Sequence, residues 1–127
     1  MIAIDSSALI CVVGGEAPAS QCERCLLSGD LLISAATLVE VRIVALKQGI
    51  AAEVEEFLQS LDLEVVPVDE AFAGLAASGY AKWGKGFHRA RLNYGDSFSY
   101  ALAKMYDCPL LYVGDDFART DVRNALA

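Results

Sequence analysis

Short apolar runs alternate along the chain with longer stretches whose apolar residues recur at helical spacing. The runs predict four buried strands, at 1–5, 31–34, 63–68 and 109–114. The stretches between them predict helices at 6–13, 17–28, 37–48, 51–61, 70–82 and 96–106. Strands that are apolar throughout must be covered on both faces, which is typical of parallel sheets between helices. The pattern therefore predicts an α/β fold with a mostly parallel sheet.

Bulk properties narrow the class of protein. The chain has 127 residues, of which 55% are hydrophobic and 21% charged, so we expect one folded domain over 1–127. No apolar run reaches the ~18 residues of a membrane span, and the start lacks a basic region typical of signal peptides. We therefore expect a cytoplasmic protein that does not contact membranes. Cys22 and Cys25 form a CxxC, but no second ligand pair completes a zinc site, and we expect packed thiols.

Acidic residues recur where predicted strands end and predicted helices begin. Asp5 ends the first strand, Asp115 and Asp116 follow the fourth, Glu40 lies in the first turn after the second, and Asp96 begins the last helix. In a parallel sheet these positions share the edge formed by the carboxyl ends of the strands. Clustered carboxylates repel one another unless a cation joins them, and oxygen ligands suit Mg²⁺ and Mn²⁺. The pattern favours metal-assisted chemistry on a phosphate ester.

Each acid also has an ordinary structural explanation. Thr37 and Glu40 match a capping box, Asp96 is a candidate N-cap, and Asp5 is a candidate cap of the turn after it. Residues 115–116 fit a solvated turn. Taken singly, each acid fits capping or solvation better; taken together, the four favour a metal site.

Charge is unevenly distributed along the chain. The net charge of −7 argues against binding nucleic acid over the whole surface. Residues 53–70 hold seven acids and no Lys or Arg, whereas residues 82–91 hold five basic or titratable side chains and no acid: Lys82, Lys85, His88, Arg89 and Arg91. We expect Lys85, Arg89 and Arg91 to contact phosphates, with Trp83, Phe87 and Tyr94 available for stacking on bases. The alternative is a solvated basic loop with aromatic residues in the core.

The acid-bearing segments resemble those of a known family. They are IDSSALI around Asp5, LVEVRIVA around Glu40, LNYGDSFSYALAK around Asp96 and PLLYVGDDFARTDV around Asp116. The pattern is similar to that of PIN-domain ribonucleases, and specifically of the VapC toxins of prokaryotic toxin–antitoxin modules. The resemblance covers essentially the whole chain. It implies a three-layer α/β/α sandwich with a four- to five-stranded sheet, Mg²⁺- or Mn²⁺-dependent endonucleolytic cleavage of RNA, a homodimer, and inhibition by a small VapB-type antitoxin.

By the same resemblance, Asp5, Glu40 and Asp96 are expected to be metal ligands. Asp116 fits the position of the fourth acid best, with Asp115 and Asp121 as alternatives. Two other functions stay open. The first is a catalytically inactive PIN-like module that binds RNA or protein without metal. The second is an aspartyl-phosphate phosphatase, which usually has a second Asp two residues after the first, where this chain has Ser7.

Overall fold

The computed structural model describes residues 1–127 and contains four strands, six α-helices and one short 3₁₀-helix. In chain order the elements are β1 Ile2–Ile4, α1 Ser6–Gly14, α2 Ala19–Leu27, β2 Leu31–Ser34, α3 Ala35–Gln48, α4 Ala51–Gln59, β3 Leu63–Val66, α5 Glu70–Trp83, α6 Tyr94–Met105, β4 Leu110–Leu111 and the 3₁₀-helix Asp116–Arg119. The predicted alternation of strands and helices is confirmed. None of the helices combines the length and apolar composition that a membrane span requires.

The four strands form one parallel sheet in the order β3-β2-β1-β4. The chain adds strands on one side of β1 until β3 and then crosses to the other side of β1 to form β4. The direction of winding therefore changes between β1 and β4. In open parallel sheets, ligands bind beyond the carboxyl ends of the strands at such a change of direction. The topology thus indicates the end of β1 as the place to look for a site.

Helices cover both faces of the sheet. Successive strand residues point to opposite sides, so an apolar strand places apolar side chains on each face. Ala3, Leu32 and Leu110 belong to one buried apolar cluster, which contains residues of α5 and α6. Ile4 and Ile33 belong to a second cluster on the other face, formed with residues of α1 to α4. The three-layer α/β/α arrangement is confirmed. Cys22 belongs to the second cluster, Cys25 packs against it, and Cys11 is buried in α1. All three are free thiols, and burial raises the pKa of each.

Two strands differ from the sequence-based prediction. β4 is only two residues long, although the apolar run covers 109–114. The chain leaves the sheet after Leu111, and the backbone N–H of Val113 donates to the Ser7 hydroxyl at 3.0 Å instead of to a strand. β3 lies at the edge of the sheet, and its Glu64 and Val65 are exposed, so it is not buried on both faces.

Two helices begin earlier than their apolar patterns predict. α3 starts at Ala35, immediately after β2, because the Ser34 hydroxyl accepts a hydrogen bond from the Thr37 N–H at 2.9 Å and so caps the helix. α6 starts at Tyr94, because the Asn93 side chain accepts from the Asp96 N–H at 2.8 Å. These caps place both helix starts close to the carboxyl ends of the strands.

Candidate active site

Three of the predicted acids act electrostatically on a fourth, Asp96, at the carboxyl edge of the sheet. Asp5 directly follows β1 and is 4% exposed, and Asp96 lies in the first turn of α6 and is 8% exposed. The negative charges of Asp5, Asp116 and Glu40 each contribute to a raised pKa of Asp96. The structure therefore brings together side chains that come from β1, α3, α6 and the 3₁₀-helix.

Asp5 is held by three hydrogen bonds. One carboxylate oxygen accepts from the Ser7 N–H at 3.1 Å and from the Ser7 hydroxyl at 2.6 Å, and the other accepts from the Ser99 hydroxyl at 2.6 Å. The capping prediction for Asp5 is confirmed, since it caps α1. The cap does not compete with a role in the cluster, because the same hydrogen bonds fix the carboxylate at the edge of the sheet.

Glu40 is positioned by a contact between α3 and α1. Its Oε1 accepts a hydrogen bond from the Ser6 hydroxyl at 2.8 Å. The prediction of a capping box with Thr37 is wrong, because Ser34 caps α3 and the Glu40 carboxylate turns to Ser6. Gly95 at the start of α6 leaves room for this carboxylate, since a Cβ there would lie 3.1 Å from the carboxyl carbon and closer still to Oε2.

Asp96 is the most perturbed acid in the protein. Its pKa is raised from 3.8 to about 7, chiefly by burial; a hydrogen bond from the Asn93 N–H lowers it, and the charges of Asp5, Asp116 and Glu40 add to the rise. The prediction that Asp96 is an N-cap is wrong: Asn93 is the cap, and Asp96 is its partner in a capping box. At neutral pH the carboxyl group must therefore share its site with a proton or a cation.

The three candidates for the fourth acid occupy different surroundings. Asp116 is the first residue of the 3₁₀-helix, and its charge acts on Asp96. Asp115 acts on another group: the pKa of Tyr112 is raised chiefly by burial and secondarily by the charge of Asp115. Burial raises the pKa of Asp121, but hydrogen bonds from Tyr100 and Lys104 outweigh burial and lower it overall. Of the three, only Asp116 acts on Asp96 in this way.

The donor set is suited to a hard divalent cation, because every polar atom in the cluster is an oxygen. In the present side-chain arrangement no three His, Cys, Asp or Glu side chains converge closely enough to hold a metal ion. Mg²⁺ does not require such a triad, since it commonly keeps several waters and takes one or two carboxylates directly. The residues thus fit a hydrated Mg²⁺ or Mn²⁺ ion, with Asp96 as the acid that gains most from its charge.

The basic segment 84–92 forms a loop after α5. Its ends are joined by hydrogen bonds between the Lys85 N–H and the Leu92 carbonyl, at 2.9 Å, and between the Leu92 N–H and the Trp83 carbonyl, at 3.1 Å. Lys85, Arg89 and Arg91 are exposed, and none forms an ion pair. Three basic side chains are therefore free to contact an anionic ligand.

The predicted aromatic residues do not behave alike. Phe87 and Tyr94 are 66% and 77% exposed, so their rings are accessible to a ligand. Trp83 is partly buried, and its indole N–H donates to the Tyr100 hydroxyl at 3.0 Å. The stacking hypothesis is thus compatible with Phe87 and Tyr94, whereas Trp83 packs within the protein.

Two residues that hold the acids were missed from the sequence. Ser99 lies one helical turn after Asp96, on the same face of α6, and this spacing is the feature that could have identified it. Gly95 precedes Asp96 directly, but its role depends on the approach of Glu40 from another helix. No local sequence pattern predicts the contact between Gly95 and the Glu40 carboxylate.

Substitution of Gly95 tests whether the position of Glu40 matters. In Gly95→Ala the new methyl group is expected to displace the flexible Glu40 carboxylate and to lower the metal-dependent RNA cleavage expected from the sequence by roughly 10-fold. Stability should not fall, because alanine favours the helix over glycine by up to about 1 kcal/mol. Two quantities are measured for the variant and the unchanged protein: the rate of RNA cleavage with Mg²⁺ and the free energy of unfolding in urea.

Gly74→Ala in α5 is the matched control, since a Cβ at that position would have no neighbour within 4 Å. It makes the same glycine-to-alanine change in a helix and should leave activity unaltered. Equal activity of both variants and the unchanged protein would show that the position of Glu40 is unimportant.

Comparison with known proteins identifies the family of the chain. Residues 2–123 match the family described as PIN domain. The chain is 38% identical to ribonuclease VapC42 of Mycobacterium tuberculosis, over 96% of this chain and 97% of that protein. It is 39% identical to ribonuclease VapC30 of the same organism, over 94% of each, and 38% identical to ribonuclease VapC of Mycolicibacterium smegmatis, over 94% and 95%.

Solved structures show the same fold at lower identity. Mycobacterium tuberculosis VapC20, described as a toxin that cleaves the sarcin-ricin loop, superposes with a TM-score of 0.73 at 18% identity, covering 97% of this chain and 99% of that one. A chain of a toxin–antitoxin complex from Klebsiella pneumoniae gives 0.72 at 18% identity, covering 95% and 93%. From the family match and the identity over nearly the full length, the chain belongs to the PIN domain family and, within it, to the VapC group.

Proposed function

We propose that the protein is a metal-dependent endoribonuclease and acts as the toxin of a type II toxin–antitoxin module. The observation that carries the proposal is the buried Asp96 carboxyl group, whose pKa is raised to about 7 beside Asp5, Glu40 and Asp116. Carboxylates this close together repel one another when ionised. A bound divalent cation would remove that repulsion and could assist cleavage of a phosphate ester. The relatives named VapC ribonuclease support RNA as the substrate. We also propose a cytoplasmic location, because the cellular RNA that a toxin would cleave is found there.

In this proposal Asp5, Glu40, Asp96 and Asp116 bind Mg²⁺ or Mn²⁺ through their carboxylate oxygens. When bound, the cation supplies an activated water and neutralises charge on the phosphate. The chain keeps its acids ready by hydrogen bonding: Ser7 and Ser99 hold Asp5, and the Asn93 N–H holds one oxygen of Asp96. Asp96 would have to release its proton in order to hold the cation, so cation binding is expected to weaken below pH 7.

The basic segment supports binding of the RNA backbone. Lys85, Arg89 and Arg91 are exposed and unpaired, so they are available to contact phosphates on either side of the scissile bond. The exposed rings of Phe87 and Tyr94 are available to stack on unpaired bases. Local basic charge on an otherwise acidic protein restricts RNA to this part of the surface, which explains how a net charge of −7 is compatible with the function.

A VapB-type antitoxin is the proposed inhibitor. An apolar groove of about 680 Å³ between α5 and α6 shares Ala36, Tyr94 and Phe98 with a second groove of about 410 Å³ that reaches Glu40. An apolar antitoxin segment fits these grooves, and an arginine on it would pair with the acids bidentately and compete with metal. A homodimer also belongs to the proposal, and Val39, Ile43 and Leu46 form an exposed apolar stripe on α3 that is available for it.

The proposal is tested by incubating antitoxin-free protein with total cellular RNA and sequencing the RNA ends. New ends should accumulate with Mg²⁺ or Mn²⁺, should disappear with EDTA, and should be absent with Asp96→Asn. Ends that form equally in EDTA would contradict the metal dependence, and ends that form equally with the variant would contradict the role of Asp96.

The alternative is a PIN-like module that binds RNA or protein without catalysis. It predicts that the protein takes up no Mn²⁺, because the acids would then be structural. Titration calorimetry with Mn²⁺ at pH 8, where Asp96 is mostly ionised, distinguishes the two functions. Uptake that Asp96→Asn weakens favours the enzyme, and a flat titration of the unchanged protein favours the module.

A further inference from the structure

Asp121 ends a chain of hydrogen bonds that runs away from the acid cluster. The Tyr100 hydroxyl donates to Asp121 Oδ1 at 2.7 Å, and the Trp83 indole N–H donates to the Tyr100 oxygen at 3.0 Å. Lys104 donates to Asp121 Oδ2 at 3.1 Å, and Lys82 lies 3.9 Å from the same oxygen. Both carboxylate oxygens therefore already have partners, and the chain joins the C-terminal tail to α6 and α5.

The other end of this chain of hydrogen bonds meets the basic segment 84–92. Trp83 is the last residue of α5, and its carbonyl accepts from the Leu92 N–H at 3.1 Å. Its ring also contacts the ring of His88 edge-on, with centroids 4.7 Å apart. Trp83 thus contacts the start, the middle and the end of the loop that presents Lys85, Arg89 and Arg91.

Asp121 determines which partner the Tyr100 hydroxyl donates to and which it accepts from. An ionised carboxylate only accepts, so Asp121 fixes the Tyr100 proton on its own side. The Tyr100 oxygen is then left as an acceptor for the indole N–H of Trp83. Tyr100 itself has little freedom, because it is 6% exposed and its ring packs against Gly79, where a Cβ would lie 2.6 Å from a ring carbon. Asp121 therefore determines which way Trp83 is held.

We propose that Asp121 is a positioning residue for RNA binding and not a ligand of the metal. It acts through Tyr100 and Trp83 to hold the basic segment in the conformation that presents its cations to the RNA backbone. The inference rests on the proposed function for the identity of the ligand. It assigns different tasks to Asp116 and Asp121, two acids that lie five residues apart in the sequence.

The test compares Tyr100→Phe and Asp121→Asn with the unchanged protein. Tyr100→Phe removes one hydroxyl and keeps the ring, and Asp121→Asn removes the charge that orients that hydroxyl. Tyr106→Phe is the matched control, since its hydroxyl makes no hydrogen bond within the protein. Five quantities are measured: kcat and KM for a single-stranded RNA with Mg²⁺, the Kd of that RNA in EDTA, the Mn²⁺ affinity, and the melting temperature.

We expect Tyr100→Phe and Asp121→Asn to raise both KM and the Kd in EDTA by roughly 5- to 10-fold, as the loss of about one hydrogen bond would. Their kcat and Mn²⁺ affinity should stay within about 2-fold of the Tyr106→Phe values, the scatter expected where no hydrogen bond is lost. A loss of Mn²⁺ affinity in Asp121→Asn would make Asp121 a ligand and overturn the proposal. A lower melting temperature with unchanged KM and Kd would also overturn it, because the role would then be structural only.

The outcome separates this inference from the proposed function. If the unchanged protein binds RNA in EDTA but never cleaves it with metal, the proposed function fails, while the two Kd comparisons still decide the role of Asp121. If the unchanged protein cleaves RNA and both variants bind it equally well, only the role of Asp121 fails. A protein that binds no RNA at all would overturn both.

Discussion

Asp5→Asn is expected to reduce RNA cleavage by roughly 100-fold or more, since even residues that merely support metal ligands cost 10- to 100-fold when they are replaced. Asparagine keeps the size of aspartate and is a good N-cap, so α1 should still form. The variant loses the negative charge that a divalent cation requires, and one of the hydroxyls of Ser7 and Ser99 must turn away. Initial rates with Mg²⁺, together with a thermal melt, measure the effect.

Asp115→Asn is the matched control for this experiment. It makes the same change of charge at the same edge of the protein, but Asp115 is exposed and its charge does not act on Asp96. Its cleavage rate should stay within a few-fold of the unchanged protein. If Asp115→Asn lost as much activity as Asp5→Asn, the effect would come from net charge and the assignment of Asp5 as a ligand would be wrong.

The metal-free protein is expected to lose stability as pH rises from about 4 to about 7. The pKa of Asp96 is raised from 3.8 to about 7 on folding, chiefly by burial. A folded state that holds its proton more tightly than the unfolded chain is favoured at low pH. The contribution is complete below the unfolded value and is lost as pH rises through the folded one, at up to about 1.4 kcal/mol per pH unit.

Urea denaturation in EDTA at several pH values from 4 to 8 measures this slope. Asp96→Asn cannot ionise, so the difference in stability between the variant and the unchanged protein isolates the carboxyl group from all other titrating groups. The variant should become relatively more stable as pH rises. Saturating Mg²⁺ should reverse the trend, because ligand binding to the folded state alone stabilises it. A difference that does not change with pH would show that Asp96 is not perturbed.

Much of the fold follows from local sequence. The run 31–34 matches β2 residue for residue, and the helix predicted at 70–82 differs from α5 by one residue. Continuous apolar strands required helices on both faces, and both faces are covered. The length of β4 could not be foreseen, because it depends on which hydrogen bonds Val113 finds in the folded protein.

The candidate site was predictable as a set of acids but not as a geometry. The parallel sheet explains why Asp5 and Asp116 share an edge, and the early starts of α3 and α6 bring Glu40 and Asp96 to it. The partners of these acids come from distant parts of the chain: Ser99 is 94 residues from Asp5. Such contacts exist only after the helices pack. The spacing of Ser99 from Asp96 places it on the acid-bearing face of α6, but the sequence does not show that its partner is Asp5.

For Asp5 and Asp96, a capping role and a place in the acid cluster are compatible. Asp5 caps α1 and Asp96 completes the capping box of α6, yet both remain in the cluster. At each helix start a backbone N–H donates to one carboxylate oxygen, from Ser7 to Asp5 and from Asn93 to Asp96. The bond fixes the carboxylate without removing it from the cluster.

The hydrogen bond between Asp5 and Ser99 also joins parts of the chain that are synthesised far apart in time. Asp5 and Glu40 leave the ribosome before Asp96, Ser99 and Asp116. A growing chain therefore carries only two of the four acids, and Asp5 lacks its Ser99 partner, until α6 has been made. For a protein proposed to cut RNA, this order of synthesis keeps the active site incomplete while the first five helices are being translated.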